Sequence, residues 1–270
     1  MQAAYSENPS RPAQPEPFVL IVGDAMRDAP PAGLEQALRQ MGLRPERLAD
    51  AACDAPLFRL HFASLSVQAG RAPTDLLDLA DPKHPSTSLL SASLPEDWRE
   101  GGRCWMFVPD DAPPGDGSAQ PVRIREFFKM VVLLIDLFDA SHVFWSPALL
   151  WSDAAQFRAS VAEMLASGMP PVLHLVAFRR RETGDGAIVR TRGLALFGGQ
   201  EVEGRIPAGW TVADMVKRLA RLSLDIILNG PVAERRRVRG LDPGEWVSLS
   251  PSPADSPQPS TLLVEFGSDL

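Results

Sequence analysis

Glu201 and Glu203 stand two residues apart in the stretch TRGLALFGGQEVEG, residues 191–204. On a strand, residues two apart project from one face, so this pair has the spacing to grip a metal or to divide general acid and base work. The alternative is that both face solvent around an inward-pointing Val202. His174 alternates with Leu173 and Leu175 in an expected strand, and so faces either such a site or a neighbouring strand. The catalytic candidates are therefore Glu201, Glu203 and His174. His61, His84, His142 and His174 show no ligand spacing, so no metal and no cofactor is expected. Ser141 and His142 are neighbours on another expected strand, which directs them to opposite faces and argues against a nucleophile–base pair.

The arginines offer different chemistry. Arg179, Arg180 and Arg181 precede the turn sequence ETGDGA, and Arg190 and Arg192 follow it. Asp185-Gly186 suits a hairpin turn whose backbone needs positive φ, so the two arms bring Arg179, Arg181, Arg190 and Arg192 together as anion-binding candidates. Guanidinium forks match carboxylate and phosphate oxygens. The competing reading is a set of solubilising strand ends paired with the abundant acids. A second run, Arg235 to Arg237 with Arg239, lies nearer the C-terminus. The nucleophile-elbow pattern G-x-S-x-G, the phosphate loop G-x-x-x-x-G-K-[ST] and the dinucleotide fingerprint G-x-G-x-x-G are all missing from the sequence, which disfavours the corresponding hydrolase and nucleotide-binding readings.

The elements that must position these residues follow from periodicity. Apolar residues at three- and four-residue steps predict helices near 32–41, 122–138, 153–167 and 211–228. Ser152 is the expected cap of the third helix, and Thr211 with Asp214 resembles a capping box at the fourth. Strands are expected at 18–23, 57–68, 103–109 and 142–146, through the arginine hairpin, and in a closing pair formed by EWVSLS and TLLVEFG. Within the hairpin, PPVLHLVAFRRR forms one arm and IVRTRGLALFG the returning arm, with Gly198-Gly199 as a kink. Residues 70–100 give no clear pattern. Trp145, Trp151, Trp210 and Trp246 are expected as core anchors, with an exposed patch along HVFWSPALLW as the alternative.

The predicted class is α+β, a mixed or antiparallel sheet with packed amphipathic helices. Residues 1–17 form an expected disordered proline-rich tail and 18–270 one domain; the alternative is a division into 18–108 and 122–270 across the loop 109–121. The chain has 270 residues, and its 26 prolines cluster in that tail, in that loop and at 251–259. A net charge of −7 argues against a general nucleic-acid binder. Cys53 and Cys104 make no secreted-type disulfide framework, the N-terminal residues do not read as a signal peptide, and the greasiest run, MVVLLIDLF, is too short to span a bilayer. A cytoplasmic protein without a membrane anchor is expected.

The aromatic strand with Trp145, the turn of Thr191, Arg192, Gly193 and Leu194 into Phe197-Gly198, the pair Glu201 and Glu203, and a helix ending in Asn229-Gly230 together resemble the bacterial domain-of-unknown-function family DUF4261. The likeness covers about half of the chain, mainly its C-terminal half. It implies a bacterial intracellular α+β domain and brings no established chemistry. The expected function is a non-enzymatic protein-interaction module, of a toxin-immunity or secretion-accessory kind, with an unidentified protein partner. A hydrolase or metal-dependent enzyme using Glu201 and Glu203, and an anion-binding protein using the hairpin arginines, are the alternatives.

Overall fold

The computed structural model describes residues 17–25, 30–48, 57–90, 93–110, 120–253 and 259–268. The expected tail before residue 17, Cys53 and residues 111–119 of the proline-rich loop lie outside them. The described chain folds into helices and two mixed sheets, the α+β class expected.

The run after Phe18 forms β1 (Val19–Gly23), buried at every position because both of its faces are covered. It sits inside an eight-stranded sheet ordered β2 (Arg44–Arg47), β3 (Phe58–Phe62), β4 (Leu65–Arg71), β6 (Cys104–Pro109), β1, β7 (Ala140–Trp145), β8 (Leu150–Asp153) and β5 (Ser88–Leu90). The single strand expected over 57–68 is two strands. Phe62 pairs with Leu65 across a tight turn in which Ala63 has φ 51°. The second sheet has six strands in the order β12 (Arg236–Arg239), β13 (Glu245–Pro251), β14 (Ser260–Ser268), β11 (Gln200–Arg205), β10 (Gly186–Arg192) and β9 (Ala177–Thr183). Pairing is antiparallel except for β5 with β8 and β11 with β14. Because β7 pairs with β1, the sheets part after β8 and not at the loop 109–121.

The long helices fall where periodicity placed them: α1 (Pro31–Gln40), α3 (Gln120–Phe138), α4 (Ala154–Ser167) and α7 (Val212–Asn229). Short α2 (Thr74–Leu79), α5 (Val172–Leu175) and α6 (Ala195–Gly198) were not expected. The cap of α4 is Asp153, which accepts from the Gln156 N–H at 2.9 Å, and not Ser152. At α7 the capping box is complete, with Thr211 and Asp214 bonding reciprocally.

A continuous core joins both sheets. Phe127 and Phe128 of α3 and Phe157 of α4 gather around Trp145, and Met215, Leu219 and Ile226 of α7 pack with Val189, Val202, Leu262 and Val264. A smaller cluster of Leu20, Cys104, Phe144, Trp151 and Trp98 fills the far side of the first sheet. There burial raises the pKa of the Cys104 thiol far above its ordinary range, against a weaker opposing charge from Arg99. Trp145 and Trp151 are buried, and their indole N–H groups donate to the carbonyls of Leu175 and Ala80 at 3.2 and 2.7 Å. The exposed-patch alternative for HVFWSPALLW is thereby excluded for its tryptophans. Among the described residues, no helix is long and apolar enough to cross a membrane.

Arg218 of α7 ties this helix to the second sheet. Its guanidinium lies 3.9 Å from the Trp210 ring centroid and donates to both oxygens of buried Glu245, at 2.6 and 2.9 Å, and to Asp242. Burial raises the proton affinity of Glu245, but bonds from Arg218 and from the main chain at Asp242 and Leu241 outweigh it and hold the carboxyl below its usual pKa. A depressed folded-state pKa makes the contribution complete above the unfolded value of about 4.3 and lost as pH falls through the folded one. Arg218→Ala leaves a buried charge unpaired and should cost about 3–5 kcal/mol in urea unfolding at pH 7, with part of the loss recovered in Arg218→Met/Glu245→Leu.

Candidate anion-binding face

Cross-strand register decides which side chains share a face. Arg190 lies opposite Arg179, Ile188 opposite Arg181, and Arg192 opposite Ala177. On the other flank Arg190 lies opposite Glu203. Directly opposed residues project the same way, so Arg179, Arg181, Arg190, Arg192 and Glu203 share the outer face of the second sheet, while Val189, Thr191 and Val202 face its core. The hairpin forms as expected, shifted by one residue: Thr183 pairs with Gly186, leaving Gly184-Asp185 as the turn.

The arginines differ in their partners. Arg179 donates to the Ser86 carbonyl at 2.6 Å and to the Pro85 carbonyl, and Arg192 donates to the same Ser86 carbonyl at 3.1 Å. Two half-buried guanidiniums thus converge on neutral main-chain oxygens. Arg190 is exposed, with Thr261 Oγ1 at 3.2 Å and Glu203 at 3.7 Å, a loose pair. Arg181 is also exposed. Burial first, then the charges of Arg179 and Arg190, lower the pKa of Arg192, with Glu201 opposing them. A guanidinium stays charged at any relevant pH, so the shift reports a charged group held half-buried first and beside like charge second. Sequence reading had no route to Pro85 and Ser86, which act through carbonyls that every residue carries.

Glu201 is not solvent-facing, contrary to the solvent alternative, and is only 5% exposed. Its carboxylate accepts from the N–H groups of Gly193 and Ala195, at 2.9 and 3.2 Å, and from Thr191 Oγ1 at 2.6 Å. It therefore anchors the chain at the end of β10 and the start of α6. The returning strand expected through residues 194–198 stops at Arg192, and residues 195–198 form α6 instead. With this carboxylate holding its first N–H groups, it takes the helical form, and Gly199 closes it at φ 68°. Gly193 itself has φ 94°, and a Cβ there would lie 2.8 Å from the Leu175 carbonyl oxygen.

His174 lies in α5, not on a strand. Pro170 and Pro171 supply no N–H for a ladder, and their carbonyls accept from Val172 and His174 at 2.9 Å, so β9 begins only at Ala177. The His174 ring bonds Ser152 Oγ at 3.0 Å and meets Phe157 edge-on. Glu201, Glu203 and His174 thus hold separate partners, with no hydrogen bond or ion pair among the described residues joining them. Among the described residues no group of three or more His, Cys, Asp or Glu is placed to hold a metal. The Ser141–His142 expectation also changes. Val22 pairs with His142 but Gly23 with Ala140, so Ser141 is an unpaired bulge residue, and its Oγ lies 2.9 Å from His142 Nδ1.

Trp246 is half-exposed on the outer face, not a core anchor. The guanidinium carbons of Arg237 and Arg239 lie 4.6 and 5.9 Å from its ring centroid. No family model matches the chain, and no similar curated protein or solved structure was found.

Glu201→Ala should cost about 2–4 kcal/mol in chemical unfolding, since it strands two buried N–H groups and a hydroxyl; Glu201→Gln, which keeps one acceptor oxygen, should cost less. Burial lowers the pKa of both His142 and His174, against the charge of Asp153 and, for His142, a backbone bond at Ser93. The folded chain keeps them neutral while the unfolded chain binds protons near pH 6.5, so stability should fall as pH drops below about 6.5. Unfolding midpoints between pH 7.5 and 5.5 should show this slope, and His142→Asn/His174→Asn should flatten it.

Proposed function

We propose that this chain is a non-enzymatic protein-interaction module that docks an acidic segment of a partner protein on the arginines of β9 and β10. The observation that supports it best is the convergence of Arg179 and Arg192 on the Ser86 carbonyl, beside Arg190, in a chain of net charge −7. A main-chain carbonyl supplies a partial dipole where a guanidinium fork binds a full carboxylate more strongly. Glu201 offsets part of the charge at Arg192, but its oxygens bond Thr191, Gly193 and Ala195 and form no ion pair with either arginine among the described residues. An incoming carboxylate gives these two arginines the ion-pair partner that no described residue supplies. Toxin neutralisation or assistance to secretion in a bacterial cytoplasm is the kind of task proposed for it, and kinship with DUF4261 belongs to the same proposal. The enzymatic alternative has no comparable support, since Glu201, Glu203 and His174 are each engaged separately.

Tetraglutamate, followed by calorimetry at low salt, tests the arginine site directly. Binding should weaken by about tenfold or more in Arg179→Glu/Arg192→Glu and should fall with added salt. In the native host, a stoichiometric partner should co-purify with the wild-type chain and be lost from the same variant. Equal binding by both forms would remove the proposal.

A further inference from the structure

The outer face of the second sheet does not end at the hairpin. Arg190 lies opposite Glu203, Glu203 beside Leu263, and Leu263 opposite Ser250. One residue row further on, Glu265 lies opposite Ser248, and Ser248 opposite Arg237. Trp246, opposite Arg239, completes the far edge. The centre of the face is open: Leu263 is 47% exposed, and Glu265 and Gly267 are exposed as well. Helix α7 packs on the opposite, core side of the sheet.

Charge along this face is ordered. Arginines stand at both flanks, Arg179 and Arg190 at one and Arg237 and Arg239 at the other, while the middle carries an exposed leucine between Glu203 and Glu265. At the far flank the guanidinium carbons of Arg237 and Arg239 lie 4.6 and 5.9 Å from the Trp246 ring centroid, and both side chains are exposed. Six strands at about 4.8 Å spacing separate the flanks by about 24 Å, a span of about seven or eight extended residues.

We infer that this whole face is one docking surface for an extended peptide segment that is acidic at both ends and apolar in its centre. The inference rests on the acidic-partner reading of the hairpin arginines and adds the second anchor, the direction across the strands and the pattern of the occupant. The pattern selects a peptide over a nucleic acid. A phosphate backbone is charged uniformly, so a strand crossing this face sets phosphates against Glu203 and Glu265. A peptide can place carboxylates on the two arginine flanks and an apolar side chain on Leu263.

Three probes test it by calorimetry: tetraglutamate; a peptide of about ten residues with acidic ends and an apolar middle; and a single-stranded RNA of similar length. The patterned peptide should bind about tenfold more tightly than tetraglutamate, because its second end binds at a raised effective concentration. Arg237→Glu/Arg239→Glu should abolish that gain and leave tetraglutamate binding unchanged, and Leu263→Asp should weaken only the patterned peptide. Arg237, Arg239 and Leu263 are exposed and Arg179 and Arg192 half-buried, so thermal unfolding of each variant checks that the fold is retained. A gain that survives Arg237→Glu/Arg239→Glu overturns the second anchor while leaving the hairpin site standing. RNA bound more tightly than the patterned peptide, and weakened by the same substitutions, overturns the peptide assignment. Tetraglutamate binding that is indifferent to Arg179→Glu/Arg192→Glu removes the hairpin site, and this inference with it.

Discussion

The Glu201 carboxylate is the interaction on which the geometry of the second sheet turns. The antiparallel ladder between β10 and β11 reaches Arg190 and Glu203. Beyond that rung Thr191 bonds Val202 through its hydroxyl, and Glu201 collects the N–H groups of Gly193 and Ala195. One buried anion thereby replaces several main-chain pairs. It ends one strand, starts a helical turn and begins the next strand within a dozen residues. Hairpin register places the arginines beside this anchor, and its charge offsets part of their mutual repulsion at Arg192.

Much of this was legible in the sequence, for identifiable reasons. Helix α7 announces itself twice, through the apolar stripe from Met215 to Ile226 and through the Thr211–Asp214 box, and both are local signals. The hairpin of β9 and β10 is equally local, since a two-residue turn fixes the register that sets Arg179 against Arg190. Illegible features depend on distant partners. The apolar run of residues 194–197 was expected as strand, and it turns helical beside a carboxylate from the following strand. His174 alternates with leucines as a strand residue would, yet the two prolines before it deny the ladder its donors. Ser141 and His142 escape strict alternation because a bulge opposite Gly23 adds a residue that pattern reading does not count.

Of the candidate residues, the arginines were found by spacing and kept their company in the fold. Register brought Arg179, Arg190 and Arg192 to one face, as a hairpin must. The paired glutamates were also found by spacing, but their environments diverge. Glu201 is drawn into a web of donors and Glu203 rests loosely against Arg190. Same-face geometry is necessary for two carboxylates to cooperate; it does not fix what each one bonds.

The sheet edges carry a further consequence of the arginine placement. An open edge strand is a template on which another chain can add, and mixed sheets of this width have two such edges each. Here β2 carries Pro45 within four residues, and β5 is only three residues long, with the segment before it held by Arg179 and Arg192. The edges of the second sheet, β9 and β12, are the strands of that sheet densest in arginine. Two copies approaching edge to edge therefore meet like charge, a proline or a pinned loop. The side chains proposed to meet an acidic partner across the face thus also disfavour self-pairing along the edges of the second sheet.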